Sequence, residues 1–151
     1  MLAAVFLLPR AFAEDFTTVV VRNYYEISGQ TGRELKQQMA ELGPKRFWAY
    51  TRWHISWTGD CTVSLDVTYT LPRLTNRNKV PLQLRDRWDE MLAKLIVHEE
   101  AHGQQGRNAA SEIVAADCEG ANQIIQKWYA RSKAYDLETG HGVMEGITLE
   151  D

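Results

Sequence analysis

His98 and His102 stand four residues apart in the run His98-Glu99-Glu100-Ala101-His102. On an α-helix that spacing stacks two imidazoles one above the other, with β-carbons about 5–6 Å apart. Both rings can then swing toward one zinc ion. Glu99 lies about 100° round such a helix from His98, beside the metal rather than on it. A carboxylate in that place can take a proton from water and is the general base of metal-dependent peptide hydrolysis. Glu100 lies about another 100° round and is expected to face solvent.

A catalytic zinc takes three protein ligands and keeps its fourth position open, so one ligand must come from elsewhere. The metzincin pattern needs glycine at 105 and histidine at 108. The chain has Gln105 and Asn108 there, which excludes that class. His141, between Gly140 and Gly142 on a segment able to turn back, is the favoured third ligand. The alternatives are a carboxylate, from Asp136, Glu112 or Glu119, and the imidazole of His54. On one unbroken helix Glu112 would lie about 15 Å beyond His102, out of reach. Tyr135 is the candidate donor to a developing oxyanion, although Trp128, Tyr129 and Tyr135 also have the spacing of core aromatics. Asp136 or Asp117 can orient a ligand imidazole from behind.

The elements that must position these groups follow from periodicity. Apolar residues at 88, 91, 92, 95 and 96 form a helical stripe leading into the motif, which places it on a helix. From Pro81 onward the chain is expected to be helical, with an open interval around 103–106 and a second long segment over 108–138 that can break at Gly120. Upstream, residues 17–27 are rich in β-branched side chains, residues 47–57 are aromatic-rich, and residues 62–71 alternate through Val63, Leu65, Val67 and Tyr69. Gly59-Asp60 marks a turn between the last two. Between the first two lies a helix over 33–42, with Thr31 as N-cap and Glu34 three residues on completing a capping box. Trp48, Tyr50, Trp53 and Trp57 are expected to be packing residues, with an exposed subset free to line a cleft.

The start of the chain says where such an enzyme would work. Leu2-Ala3-Ala4-Val5-Phe6-Leu7-Leu8 followed by Ala11-Phe12-Ala13 has the form of a secretory signal peptide, too short to span a bilayer as a helix. Removing those 13 of the 151 residues, Arg10 among them, leaves a single domain over 14–151 and takes the formal charge from −3 to −4. The two cysteines, Cys61 and Cys118, suit a disulfide in an oxidising compartment, periplasmic or extracellular. An acidic balance without basic clusters argues against nucleic acid as a partner, and no stable membrane insertion is expected after signal cleavage.

Three strands and a helix, then a helix carrying the paired histidines, make an α+β layout. The expected core is a small antiparallel sheet packed on the motif helix and a long C-terminal helix. This resembles the zincin metalloprotease plan, in which an edge strand holds an extended peptide. More narrowly, Tyr50-Thr51 and Trp53, the run His98 to Gly103, and Tyr135-Asp136-Leu137-Glu138-Thr139-Gly140-His141-Gly142 resemble a bacterial family of unknown function described as predicted secreted zinc-dependent proteases. The resemblance implies a zinc peptidase acting on peptide or protein substrates. Two functions are therefore expected: a periplasmic or secreted peptidase using His98, His102 and His141 on zinc with Glu99 as base, or a non-catalytic, zinc-stabilised binding module of the cell envelope. Glu99 favours the first, because a structural zinc site gains nothing from a glutamate there.

Overall fold

The computed structural model describes residues 15–150; the signal-peptide segment expected over 1–13 lies outside them. Six main elements follow in order: strand β1 (Thr17–Ile27), helix α1 (Gly32–Leu42), strands β2 (Tyr50–Trp57) and β3 (Val63–Leu74), and helices α2 (Leu82–Ala115) and α3 (Ala121–Thr139). Thr31 caps α1 by accepting from the Glu34 amide at 3.2 Å, while the Glu34 carboxylate accepts from the Gln30 amide at 2.6 Å. The reciprocal cap thus forms one residue wider than the simplest version.

The fold is α+β with a three-stranded mixed sheet in the order β1-β3-β2. β2 and β3 are the expected antiparallel hairpin, with Trp53 opposite Val67 and Ile55 opposite Leu65. β1, however, runs parallel to β3, with Thr17 opposite Ser64 and Ile27 opposite Leu74, so the sheet is not wholly antiparallel. Side-chain alternation tells which residues face the core and is silent on strand direction. Direction is set by the crossover: α1 and β2 intervene before β3, and such a connection returns the chain parallel.

One face of the sheet carries Trp53, Ile55, Leu65, Val67 and Tyr69 onto α2, which answers with Trp88, Met91, Leu95 and Ile113. α2 is unbroken through 103–106. Gly103 and Gly106 face the sheet, and neither ends the helix. A β-carbon at Gly103 would stand 2.0 Å from the Tyr69 hydroxyl, and one at Gly106 would stand 2.7 Å from the Trp53 ring. With Ala109 and Ala110, also buried, these small residues let the second half of α2 lie close against the strands. Gly103→Ala is therefore expected to destabilise the fold by about 1–3 kcal/mol through overpacking, outweighing the helix propensity that alanine adds. Tyr69→Phe in the same chain should return part of the loss, because the nearest clashing atom is the hydroxyl. Denaturant midpoints decide it, and a stabilised Gly103→Ala protein would rule out the close approach.

The chain breaks after Ala115, where Asp117, Cys118 and Gly120 take left-handed backbone conformations. Cys118 therefore lies in the link between α2 and α3 and not inside a helix. It is disulfide-bonded to Cys61, which sits in the β2–β3 turn, with 5.7 Å between α-carbons. No helix of the described residues is long and apolar enough to cross a membrane.

Candidate metal centre

α2 turns a buried stretch of its surface toward α3. On α2, His98, Glu99 and His102 are only 4, 5 and 7% exposed. On α3, residues 129, 132, 133 and 136 follow one helical stripe and face the same cleft. The imidazoles of His98 and His102 stand 5.0 Å apart, edge to face. Their Nε2 atoms approach the same oxygen, Oδ1 of Asp136, at 3.3 and 3.0 Å. Among the described residues, His98, His102 and Asp136 form the cluster able to hold a metal ion, with ligand atoms all within 4.8 Å of one another.

The outward nitrogens are held as well. His98 Nδ1 donates to the Glu145 carboxylate at 2.6 Å, and His102 Nδ1 contacts Ser132 Oγ at 2.7 Å. Tyr135 stacks on the His98 ring at 4.9 Å and donates to the other oxygen of Glu145 at 2.6 Å. Burial pushes the Glu145 carboxyl up, yet the bonds from Tyr135 and His98 outweigh it and hold the group below its ordinary value. An ionised Glu145 fixes the proton of His98 on Nδ1. The Nε2 lone pair then faces a carboxylate oxygen at hydrogen-bond distance, two acceptors with no donor between them.

A cation resolves that conflict. One divalent ion accepts both Nε2 lone pairs and the carboxylate oxygen together. Two ligand atoms bound to zinc in tetrahedral directions stand about 3.3 Å apart, close to the two Nε2–Oδ1 spacings. The donor set of two imidazoles and one carboxylate, each imidazole braced from behind by a polar group, fits zinc.

Glu99 sits beside the cluster. Its Oε2 accepts from the Thr51 hydroxyl at 2.5 Å, and that hydroxyl is also 3.1 Å from the Glu99 carbonyl oxygen. Burial raises the Glu99 carboxyl above its ordinary value, against the lowering pull of Thr51 and of both histidines. Glu100 points away, exposed and 3.5 Å from Arg22. His141 is at the cleft wall, half-exposed and stacked on Phe47 at 5.3 Å, with Nδ1 3.7 Å from Asp136 Oδ1. Tyr135 braces Glu145, and its hydroxyl is engaged there. Glu112 accepts from Lys127 and from Trp128 Nε1, Glu119 and Asp117 are exposed in the α2–α3 link, and His54 is exposed on β2 opposite Asp66. Trp48, Tyr50 and Trp53 line the cleft, with Trp53 stacked on Tyr129 at 4.2 Å, while Trp57 lies outside it.

Ser132, Glu145 and the role of Thr51 do not stand out in the sequence. Ser132 and Asp136 are four apart on one helix, which is a signal; Glu145 carries none, because it arrives through the turn Val143–Glu145. A family described as "Bacterial protein of unknown function (DUF922)" matches residues 22–142, which include the paired histidines, Glu99 and Asp136. No curated protein and no solved structure matches the chain.

Proposed function

The chain belongs to the bacterial family DUF922, whose function is unknown, and from the chemistry of its cluster we propose that it is a zinc-dependent peptidase of the periplasm or extracellular space. The observation that carries this is the convergence of two Nε2 atoms and one carboxylate oxygen with a buried glutamate beside them. We assign His98, His102 and Asp136 as the ligands. Asp136 on the following helix takes the place for which sequence alone favours His141, and His141 remains a wall of the cleft. Zinc in this place would supply Lewis-acid polarisation of a peptide carbonyl and a more acidic water. Glu99 takes the proton of the attacking water and passes it to the leaving amine, with Thr51 fixing the carboxylate that does so. A base whose proton affinity is raised by burial is suited to hold that proton between the two transfers. Glu145 and Ser132 fix the imidazoles, and Tyr135 positions Glu145.

The arrangement is of the zincin kind, with the motif helix packed under a sheet whose edge strand, β2, runs along the cleft. An extended peptide can pair with such an edge. A purely structural zinc site is closed by a fourth protein ligand; here the cluster opens onto the cleft, which favours catalysis over a binding module. The disulfide favours an oxidising compartment.

Elemental analysis of the purified protein is expected to find one zinc per chain. Asp136→Ala should lose it and His141→Ala should keep it; the reverse pattern would return the third ligand to His141. A mixed peptide library incubated with the zinc-loaded protein tests the activity itself, and complete survival of the library would reject the peptidase assignment.

A further inference from the structure

The cleft has walls of one charge. Its volume is about 650 Å³, and its acidic lining residues are Glu99 and Asp136, both engaged at the metal centre. The other charged residues on its walls are Arg46, from the turn Pro44–Arg46, Arg52 on β2 and Lys133 on α3. A divalent ion would balance the two carboxylates, and even with the ionised Glu145 behind His98 counted against them, these three cations leave an excess of positive charge. The whole chain has a formal charge of −3, so composition does not account for it.

Many other cations of the protein are matched. Arg77 pairs with Asp89, Lys94 with Glu90 and Lys127 with Glu112. Among the described residues, Arg46, Arg52 and Lys133 have no acidic partner. They come from a turn, a strand and a helix, so no single element's local preference gathers them. Like charges around a concave wall repel one another and do not help the fold, whereas they focus a positive potential on whatever enters. Arg46 and its neighbour Lys45 also both hold left-handed backbone conformations, with φ of 67° and 53°. Residues with a β-carbon adopt that region at a cost, and such strain gathers at functional walls.

We propose that the cleft selects acidic peptides. A chain laid along the edge of β2 meets Arg46 and Arg52 on the strand side and Lys133 on the helix side, while its apolar side chains contact Phe47 and Tyr129. The inference rests on the peptidase reading of the same cleft and adds the substrate class to it.

Binding can be read without turnover by using the full chain carrying Glu99→Gln. The probes are capped hexapeptides of alanine with one central residue set to glutamate, glutamine or lysine, titrated by calorimetry. The glutamate peptide is expected to bind about tenfold tighter than the glutamine peptide, with the lysine peptide weakest. The margin should shrink in roughly 0.5 M salt, where screening is strong. Adding Arg52→Gln and Lys133→Gln, which leaves Arg46 alone, should cut the margin to a small remainder; adding Lys133→Gln alone, an exposed site on α3, should reduce it less, and thermal melts check that each variant folds. Equal binding of the glutamate and glutamine peptides, or an undiminished margin in the folded double variant, overturns the proposal. The parent protein keeps the two claims apart. If it cuts glutamine and lysine peptides as readily as glutamate ones, the selectivity is lost and the peptidase stands; if glutamate peptides bind with the expected margin and none is cut, the peptidase falls and the acidic-ligand site stands.

Discussion

Exchanging Glu99 for glutamine is expected to cut peptide hydrolysis by about 10²–10⁴ while the protein keeps its zinc. The amide has the shape of the carboxylate and can still meet the Thr51 hydroxyl, and neither histidine nor Asp136 is touched. What it lacks is the ability to take a proton. Glu100→Gln is the control: that side chain lies on the far side of α2 beside Arg22, and its loss should change the rate by less than about twofold, as for an exposed ion pair. Rates from single-turnover cleavage, set beside zinc content for each variant, separate the two roles. If the Glu99→Gln protein retains both its zinc and the parent rate, the proton must go elsewhere and the mechanism is wrong.

Opening the Cys61–Cys118 bridge is expected to remove about 4 kcal/mol of stability, the loop-closure contribution of a cross-link over this separation. The bridge joins residues 57 apart in sequence. For a domain of this size such a loss lowers the melting temperature by on the order of 10 °C. The double substitution Cys61→Ser/Cys118→Ser, compared with the oxidised parent in thermal melts, measures it. Both cysteines have left-handed backbone conformations, which serine tolerates no better, so backbone strain is the same in both proteins. A shift of a degree or less would mean that the reduced chain is already held together by its helices.

The motif helix is legible in the sequence because Trp88, Met91 and Leu95 repeat at its period. The same stripe continues through Gly103, Gly106 and Ala109, but there it is written in small residues. Local propensity reads a glycine as a weak point in a helix; only the facing rings of Tyr69 and Trp53 show that it is a contact. Strand positions are likewise legible from alternation, while the parallel direction of β1 is a property of the crossover. At the centre, the paired histidines carry their own geometry in their spacing. Asp136 does not, because its place beside them depends on how the link over 116–120 turns α3 back along α2. His141 attracts attention by residue type, and the structure sets it beside Asp136, at the wall of the cleft.

The unbroken course of α2 limits how the centre can move. His98 and His102 ride on the same rod as Trp88 at one end and Ile113 at the other, both locked in the core. The ligand pair has no hinge of its own. The opposite wall comes from the segment after α3, which turns back through the left-handed Gly140, Gly142 and Gly146, places Val143 and His141 on the cleft and is anchored in the core by Ile147 and Leu149. That segment also carries Glu145, the carboxylate that holds the proton on His98. Any outward displacement of that wall would therefore withdraw the brace from one imidazole, so that the set of the paired histidines and the width of the entrance are tied together.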